Sequence, residues 1–511
     1  MISPRRQLLI MVAFISLSLP ATLAHAVDHF ITIGGGYRRS ANQASLEANV
    51  LFFQELLRTK HAGEWVHEIY FADGNDPGDD LQVAVSAEEK APLVDLLEQL
   101  HRRGGPRVKY RDHEIPGTSG PNDPALIQAS LKRLAAESKP GDRILIYVTS
   151  HGSEAEGDDR YNTSIDGWDN KSFTSRELAK WLDEISPEVT VVMVMAQCYC
   201  GGFAHTIFKE AGDAPPLADQ VRIGFFAQQY NLAAAGCRPD IQNDQEFSSY
   251  FWGAMLGRTR NGAAIDNCDL DHNGNISFAE AYAYAVADSE TIDIPLRSSD
   301  VLLQVFSQIG QAPSEADRDS DSSSESETRE HVDGQDLLSL TGPVSELLQH
   351  ASLADRHIVT ALCKTLDIEP DADVQQILNA ARRNQRFSRR RGPGRRGPSG
   401  RRELLADLEE NWPDLADRRN WRDADELDAD KQDSVFEEIE ALESYQTFLR
   451  RQRDREQAQQ TAQAGELKQV KYKRLVSTLE TIVRAHNLAH VATPDVVARF
   501  EKMKQLENQS L

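Results

Sequence analysis

Two long apolar runs constrain the fold of this 511-residue chain more than any other feature. One extends over 143–149 and the other over 189–195, and both are apolar at nearly every position. A strand that is apolar on both faces suits a sheet covered by helices on both sides, and that arrangement requires parallel strands with helical crossovers. The sequence therefore predicts a three-layer α/β domain with a mostly parallel sheet.

Helix signals alternate with the strand-like runs and support this fold class. Residues 41–58 carry apolar side chains at helical spacing, and Asp123 followed by Pro124 is typical of a helix start. Thr174 and Glu177 predict a capping box. The alternation continues to about residue 310, so we predict one α/β domain over 27–310.

The remainder of the chain has a different composition. Residues 311–335 are rich in Ser, Asp and Glu and predict a disordered linker, because they offer almost no apolar surface to bury. Residues 336–511 predict a helical accessory region that contains an arginine-rich loop at 382–402. The formal net charge of −24 argues against a nucleic-acid partner, and the C-terminal helices offer a surface for self-association.

The first residues predict export to the periplasm or the extracellular space. Arg5 and Arg6 precede an apolar run over 7–19, and Ala24 and Ala26 provide the small residues of a cleavage site. We predict a signal peptide at 1–26 and no transmembrane segment after its removal. The alternative is an uncleaved membrane anchor, which the short apolar run disfavours.

A histidine and a cysteine follow the two apolar runs. His151-Gly152 comes after the first run and Cys198 after the second. Because the carboxyl ends of parallel strands form one edge of a sheet, both side chains are expected to reach one substrate. A thiolate attacks a carbonyl when its pKa is low or a base is nearby, and imidazole transfers protons near neutral pH. The backbone amides of Gly152 and Cys198 are the candidate donors to an oxyanion.

Each of these residues also has a simpler interpretation. A buried cysteine after a core strand is usually a small hydrophobic side chain, and a lone histidine there is usually a loop residue. Their joint occurrence, each near glycine, favours catalysis. Cys200 remains an alternative nucleophile, and Gly201 and Gly202 are expected to allow close approach of substrate.

The segments Ile-Tyr-Val-Thr-Ser-His-Gly-Ser and Ala-Gln-Cys-Tyr-Cys-Gly-Gly-Phe resemble those of caspase-like cysteine peptidases, in particular the legumain-type branch and its bacterial relatives. The histidine precedes the cysteine by roughly fifty residues, as the caspase signature has it. The resemblance covers about residues 28–300. It implies Cys198 as nucleophile, His151 as its partner without an obligatory third member, and endopeptidase or peptide-bond transfer activity through a thioester.

Substrate preference is not carried over by the resemblance. Position 196 is Ala where relatives specific for basic substrates often have an acid, and Ala41 or Asn42 stands where legumain has an arginine. Asp240, Asp244 and Glu246 follow a later strand and are candidates for a pocket that prefers a basic residue. A solvated acidic loop explains these three equally well.

A calcium loop is predicted at 269–280. Its candidate ligands occupy positions one, three, five, seven, nine and twelve of the loop: Asp269, Asp271, Asn273, Asn275, Ser277 and Glu280. Gly274 would provide the sharp turn. A convincing helix follows, but Asn261-Gly262 interrupts the preceding one, so a half-site is expected. The simpler interpretation is a polar turn that caps a helix. No organic cofactor is predicted.

The competing functional hypothesis is a catalytically silent, calcium-stabilised interaction protein whose C-terminal helices bind the partner. An intermediate possibility is a peptidase held latent by its C-terminal region.

Overall fold

The computed structural model describes residues 26–85, 91–101, 108–212, 216–236, 245–311, 337–390, 400–422 and 424–511. The predicted signal peptide, apart from its last residue, lies outside these ranges, as does the predicted linker from residue 312 onward. Within the described ranges, no helix combines the length and apolarity needed to cross a bilayer.

The central sheet is mostly parallel, as the apolar runs predict. Its strands follow the order β10-β9-β8-β5-β1-β2, and only β10 runs antiparallel to its neighbour. The short hairpin β6–β7 continues β5 at its carboxyl end, and β3 pairs with β4 in a separate ribbon. The strands are β1 (Val27–Gly35), β2 (Glu64–Phe71), β3 (Leu81–Ala84), β4 (Val108–Arg111), β5 (Arg143–Ser153), β6 (Ser164–Asp166), β7 (Ser172–Thr174), β8 (Thr190–Met195), β9 (Arg222–Phe226) and β10 (Leu296–Arg297).

Helices connect these strands, and the predicted start signals are present. Asp123 accepts a hydrogen bond from the amide of Ala125, and Thr174 forms a capping box with Glu177. One face of β5 presents Tyr147 to Phe53 and Trp252, which lie on two of these helices. The α-helices up to residue 311 are α1 (Ala44–Lys60), α2 (Pro92–His101), α3 (Pro124–Glu137), α4 (Ser175–Asp183), α5 (Phe247–Leu256), α6 (Phe278–Asp288) and α7 (Ser298–Phe306).

The described part of the C-terminal region is helical, as the sequence predicts. The predicted loop 382–402 needs correction, because the helix that begins at Val374 continues to Arg390. Arginine and glutamine favour helix there, and the Gly-Pro pairs follow only later. The helices are α8 (Val344–Leu347), α9 (Leu353–Leu366), α10 (Val374–Arg390), α11 (Arg401–Asn411), α12 (Pro413–Ala416), α13 (Gln432–Glu440), α14 (Glu443–Val491) and α15 (Pro494–Glu507).

The C-terminal helices share the core of the α/β domain. Leu475, Leu479 and Ile482 of α14 belong to the same buried cluster as Ile146 of β5 and Met193 of β8. The 49-residue α14 is about 70 Å long, so its two ends pack on different parts of the molecule. The beginning of α14, together with α11 and α13, packs on leucines of α2 in a second cluster. The region is therefore integrated with the α/β domain.

Candidate active site

His151 and Cys198 lie beyond the same edge of the sheet. Strands β5 and β8 are parallel neighbours, with Val148 opposite Met195 at the end of their pairing. A Cβ atom on Gly152 would stand only 2.4 Å from the carbonyl oxygen of Cys198 and 2.8 Å from Cγ of Gln197. The segment that carries the histidine therefore lies directly against the segment that carries the cysteine, and only glycine fits at position 152.

The imidazole of His151 is oriented by the segment before α1. Its Nε2 lies 2.8 Å from the carbonyl oxygen of Ala41 and 3.0 Å from Oε1 of Gln43. A carbonyl oxygen only accepts hydrogen bonds, so Nε2 carries the proton and Nδ1 of the neutral ring retains its lone pair. Burial lowers the pKa of His151, although the Ala41 carbonyl and Asp166 oppose this shift. A neutral base is the favoured resting form.

The surroundings of His151 are polar on one side and aromatic on the other. Tyr37 meets the imidazole edge to face, with ring centroids 5.4 Å apart. Asp166 is the antiparallel cross-strand partner of His151, and its carboxylate accepts a hydrogen bond of 2.9 Å from Ser153. Burial raises the pKa of Asp166. Tyr37, Ser153 and Asp166 border a groove of about 570 Å³ whose further lining includes Glu154 and Glu156.

Cys198 follows β8, and its sulfur lies against the backbone of the loop that follows β9. The amide of Ala234 approaches Sγ at 3.3 Å, and Sγ lies 3.9 Å from the carbonyl oxygen of the same residue. Burial raises the pKa of the thiol, the Ala234 contact lowers it, and the carboxylates of Asp293 and Asp166 raise it further. The sequence leaves two ways to activate the thiol open: a low thiol pKa or a nearby base. The raised pKa of Cys198 favours activation by a base.

Cys200, the alternative nucleophile, is sealed in the core. Its side chain is fully buried, and Sγ exchanges contacts with Gln228, accepting from the amide at 3.2 Å and facing the carbonyl at 3.5 Å. Burial raises its thiol pKa strongly. Cys198, by contrast, is partly exposed. Accessibility therefore favours Cys198 as the nucleophile.

The glycines after Cys200 serve loop packing. A Cβ on Gly201 would stand 2.6 Å from the amide nitrogen of Tyr230, and a Cβ on Gly202 would stand 2.4 Å from the carbonyl of Tyr161. The chain reaches them through Tyr199, which adopts the left-handed conformation with φ 59°. Protein loops thus occupy the space that the sequence suggested for substrate, and the close approach is made by the chain itself.

Of the three acidic pocket candidates, Glu246 is the one within the described residues. Asp240 and Asp244 lie outside the described residues. Glu246 is buried and forms an ion pair of 3.2 Å with Arg260, which also donates to Asn49. Burial raises the pKa of Glu246 to about 7, against the effect of Arg260. Glu246 is not part of a solvated acidic loop, and its charge is already compensated within the chain.

The predicted calcium loop adopts a closed, hydrogen-bonded form. Carboxylate oxygens of Asp269, Asp271 and Glu280 lie within 4.8 Å of one another. Asp269 accepts from the amides of Asn273 and Gly274, and Gly274 turns with φ +88°. No helix directly precedes the loop in the described residues, since α5 ends at Leu256, whereas α6 follows it as predicted. Asn275 and Ser277 border a neighbouring surface cavity with the chain terminus.

Sequence reasoning missed the residues that support the cysteine. Gln228 is buried and donates to the carbonyl of Ala233, while its own Oε1 accepts from the amide of Ile294. Asp293 accepts from the amide of Ala235 at 2.7 Å. These residues follow no motif and act through loop backbone. Gln228 could have drawn attention as a polar residue after the apolar strand β9, whereas Asp293 follows a helix and carries no such signal.

Comparisons with known proteins add little to this geometry. No family model matches the chain, and no curated protein matches it. Among solved structures, the crystal structure of protein GSU0716 from Geobacter sulfurreducens is similar to 53% of this chain and 93% of its own, with 8% identity and a TM-score of 0.31. A similarity at that level carries no argument about family or function.

Proposed function

We propose that the chain is a caspase-like cysteine endopeptidase of the legumain type, with Cys198 as nucleophile and His151 as its base. The observation that carries the proposal is the contact at Gly152, where the histidine segment lies directly against the carbonyl of Cys198. The selective burial of Cys200 supports the choice between the two thiols.

In the first step, the sulfur of Cys198 bonds to the carbonyl carbon of the scissile peptide while its proton passes to Nδ1 of His151. The proton on Nε2 is donated to the Ala41 carbonyl throughout. This hydrogen bond fixes the tautomer in which Nδ1 can accept the thiol proton. The oxyanion forms beside the backbone amides of Gly152 and Cys198, the proposed donors. A raised thiol pKa and a lowered imidazole pKa keep both groups neutral at rest, so the proton leaves the sulfur only as the sulfur bonds to the carbonyl carbon.

In the second step, the tetrahedral intermediate collapses, the C–N bond breaks, and His151 returns its proton to the departing amine. A thioester on Cys198 remains. Water then attacks that thioester with His151 again accepting a proton, which releases the carboxylic acid and restores the thiol. An amine nucleophile in place of water would give peptide-bond transfer by the same steps.

The decisive experiment compares Cys198→Ala with Cys200→Ser, using a diverse peptide library and purified full-length protein with calcium present. We expect Cys198→Ala to abolish cleavage, because the attacking atom is gone. Cys200→Ser should retain most activity, because the hydroxyl preserves both contacts with Gln228. Equal cleavage by wild type and Cys198→Ala would exclude the proposal, and no cleavage by wild type would favour the interaction protein. Adding a peptide amine to the assay separates hydrolysis from transfer.

We also propose that 269–280 binds a structural calcium ion through Asp269, Asp271 and Glu280, joined by oxygens of the intervening residues. Three carboxylates within 4.8 Å repel one another without a cation, and a hard cation prefers such oxygen ligands. Calcium should raise the melting temperature of wild type, and Glu280→Gln should abolish that increase. Magnesium serves as the control, because its octahedral preference fits this loop less well. An unchanged melting temperature in calcium would exclude the site.

Export belongs to the same proposal, because the basic start, the apolar run and the small-x-small site are found together. Expression with a C-terminal tag, followed by fractionation and N-terminal sequencing, tests it. A mature chain that begins near Val27 outside the cytoplasm is expected, and an intact N-terminus in the cytoplasm would contradict it.

A further inference from the structure

Arg474 is the most deeply enclosed cationic side chain of α14. Its side chain is 1% exposed, and its guanidinium donates hydrogen bonds to the last turn of α6 and to the segment that follows it. Nε donates to the carbonyl of Asp293 at 2.8 Å. Nη1 donates to the carbonyls of Val286 and Ser289, both at 3.0 Å. Nη2 donates to the carbonyl of Thr291 at 2.9 Å and to its hydroxyl at 3.1 Å. One guanidinium therefore fixes the path of residues 286–293.

The segment fixed by Arg474 in turn holds the loop 228–236. The carboxylate of Asp293 accepts from the amide of Ala235, and the amide of Ile294 donates to Gln228 at 3.2 Å. Gln229 donates to the carbonyl of Ile294 at 3.3 Å. These contacts join the loop after β9 to the segment between α6 and β10.

The loop 228–236 is the one that touches the sulfur. The amide of Ala234 lies 3.3 Å from Sγ of Cys198, and the carbonyl of Leu232 accepts from the amide of Tyr199 at 3.0 Å. Tyr199, which adopts a strained left-handed conformation, directly follows Cys198. Its hydrogen bond therefore fixes the backbone that sets the direction of the cysteine side chain.

We propose that Arg474 is a positioning residue for Cys198. Helix α14 would then be required for the activity of the peptidase, and would not be an accessory region. The proposal rests on the proposed function for its activity readout. A misplacement of the nucleophile by about 1 Å is enough to cost roughly 100-fold in rate, even when its cause lies far from the chemistry. The guanidinium also supplies the positive charge that opposes the buried carboxylate of Asp293, which acts on the thiol.

The test compares Arg474→Met with Asn487→Ala in the full-length chain. Asn487 is an equally buried hydrogen-bonding residue of the same helix, but its partners are Gln308 and Leu338, away from the cysteine. Both variants should lower the melting temperature. Only Arg474→Met should reduce kcat, by about tenfold or more, with little change in KM. It should also move the pH midpoint of iodoacetamide alkylation of Cys198 upward, because Asp293 is then less well compensated.

Arg474→Lys should restore part of the alkylation midpoint, since it keeps the charge, while kcat stays low because the planar fork is lost. If Arg474→Met does not fold, Thr291→Val takes its place: it removes one acceptor of the guanidinium and should shift kcat and the alkylation midpoint in the same directions, more weakly. Equal kcat and equal alkylation in the Arg474 and Asn487 variants, or no shift in the substitute, would overturn the proposal.

The alkylation arm separates this proposal from the proposed function. Suppose that wild type cleaves no peptide, while the Arg474 variants still change the reactivity of Cys198. The peptidase hypothesis then fails, and the positioning role of Arg474 is retained. If wild type cleaves peptides through Cys198 and Arg474→Met leaves both readouts as in Asn487→Ala, the positioning role alone fails.

Discussion

The two sides of the proposed active site are held by different parts of the chain. His151 is fixed by Ala41 and Gln43, which precede α1 within the α/β domain. Cys198 is fixed by the loop 228–236, whose own supports reach Arg474 in α14. The histidine side is thus built from the domain that the sequence predicts, and the cysteine side depends on a helix that the sequence assigns to an accessory region.

This difference shows why a helical region after a linker need not be a separate module. Leucines of α14 belong to the buried core, and Arg474 bonds the segment that holds the loop beside Cys198. Removing the region would expose apolar surface and leave the carbonyls of 286–293 without their donor, which is costly for buried groups. A latent peptidase freed by loss of this region is therefore disfavoured by the packing.

The largest effect is expected where the two sides meet. Gly152→Ala would force its Cβ against the carbonyl of Cys198 at 2.4 Å, so one of the two segments must move. We expect kcat/KM to fall by about 100-fold or more, measured with the best library peptide. Gly78→Ala is the control, because a Cβ added there would have no heavy atom within 4 Å apart from its own residue and its chain neighbours. Wild-type activity in Gly152→Ala would mean that the two segments do not act together.

The cysteine side alone is tested by Gln228→Ala. The change leaves the carbonyl of Ala233 and the amides of Gln229 and Ile294 without their side-chain partner, at a cost of about 1–3 kcal/mol for each buried group. We expect kcat to fall by about tenfold through the loosened loop, together with a lower melting temperature.

Gln220→Ala is the matched control for this change. Gln220 is equally buried and bonds two carbonyls, but it precedes β9, whereas Gln228 follows it. It should lower the melting temperature without lowering kcat of the folded enzyme. Equal kcat losses in the two variants would mean that general stability, and not the loop, controls the cysteine.

The pH dependence tests the protonation state that the two sides share. Burial lowers the pKa of His151 and raises that of Cys198, so both are neutral near pH 7. Protonated imidazole cannot accept the thiol proton, so kcat/KM should fall only below the ordinary histidine value of about 6.5. An acid limb with its midpoint above 6.5 would instead indicate a thiolate–imidazolium pair, which is the opposite arrangement.

The sequence predicts the histidine side of the site better than the supports of the cysteine side. The apolar runs around Ile146 and Met193 determine the parallel sheet, and the sheet brings His151 and Cys198 to one edge. Local chemistry also predicts the caps at Asp123 and Thr174, because those contacts join residues close in sequence. Arg474 could not be predicted, because its partners lie more than 180 residues away and are carbonyl groups, which every residue carries.

The smallest effect is expected on the histidine side, from Gln43→Ala. Nε2 of His151 keeps the Ala41 carbonyl at 2.8 Å when the Gln43 oxygen at 3.0 Å is lost, so the tautomer is preserved. The loss of one of two acceptors is worth about 1 kcal/mol or less, and kcat should fall by no more than about fivefold. Titration of the His151 ring by NMR should show its pKa still below the ordinary value, because burial is its main cause. A loss of kcat as large as that of Gln228→Ala would show that the position of His151 depends as strongly on one side chain as that of Cys198 does. The two sides of the site would then not differ.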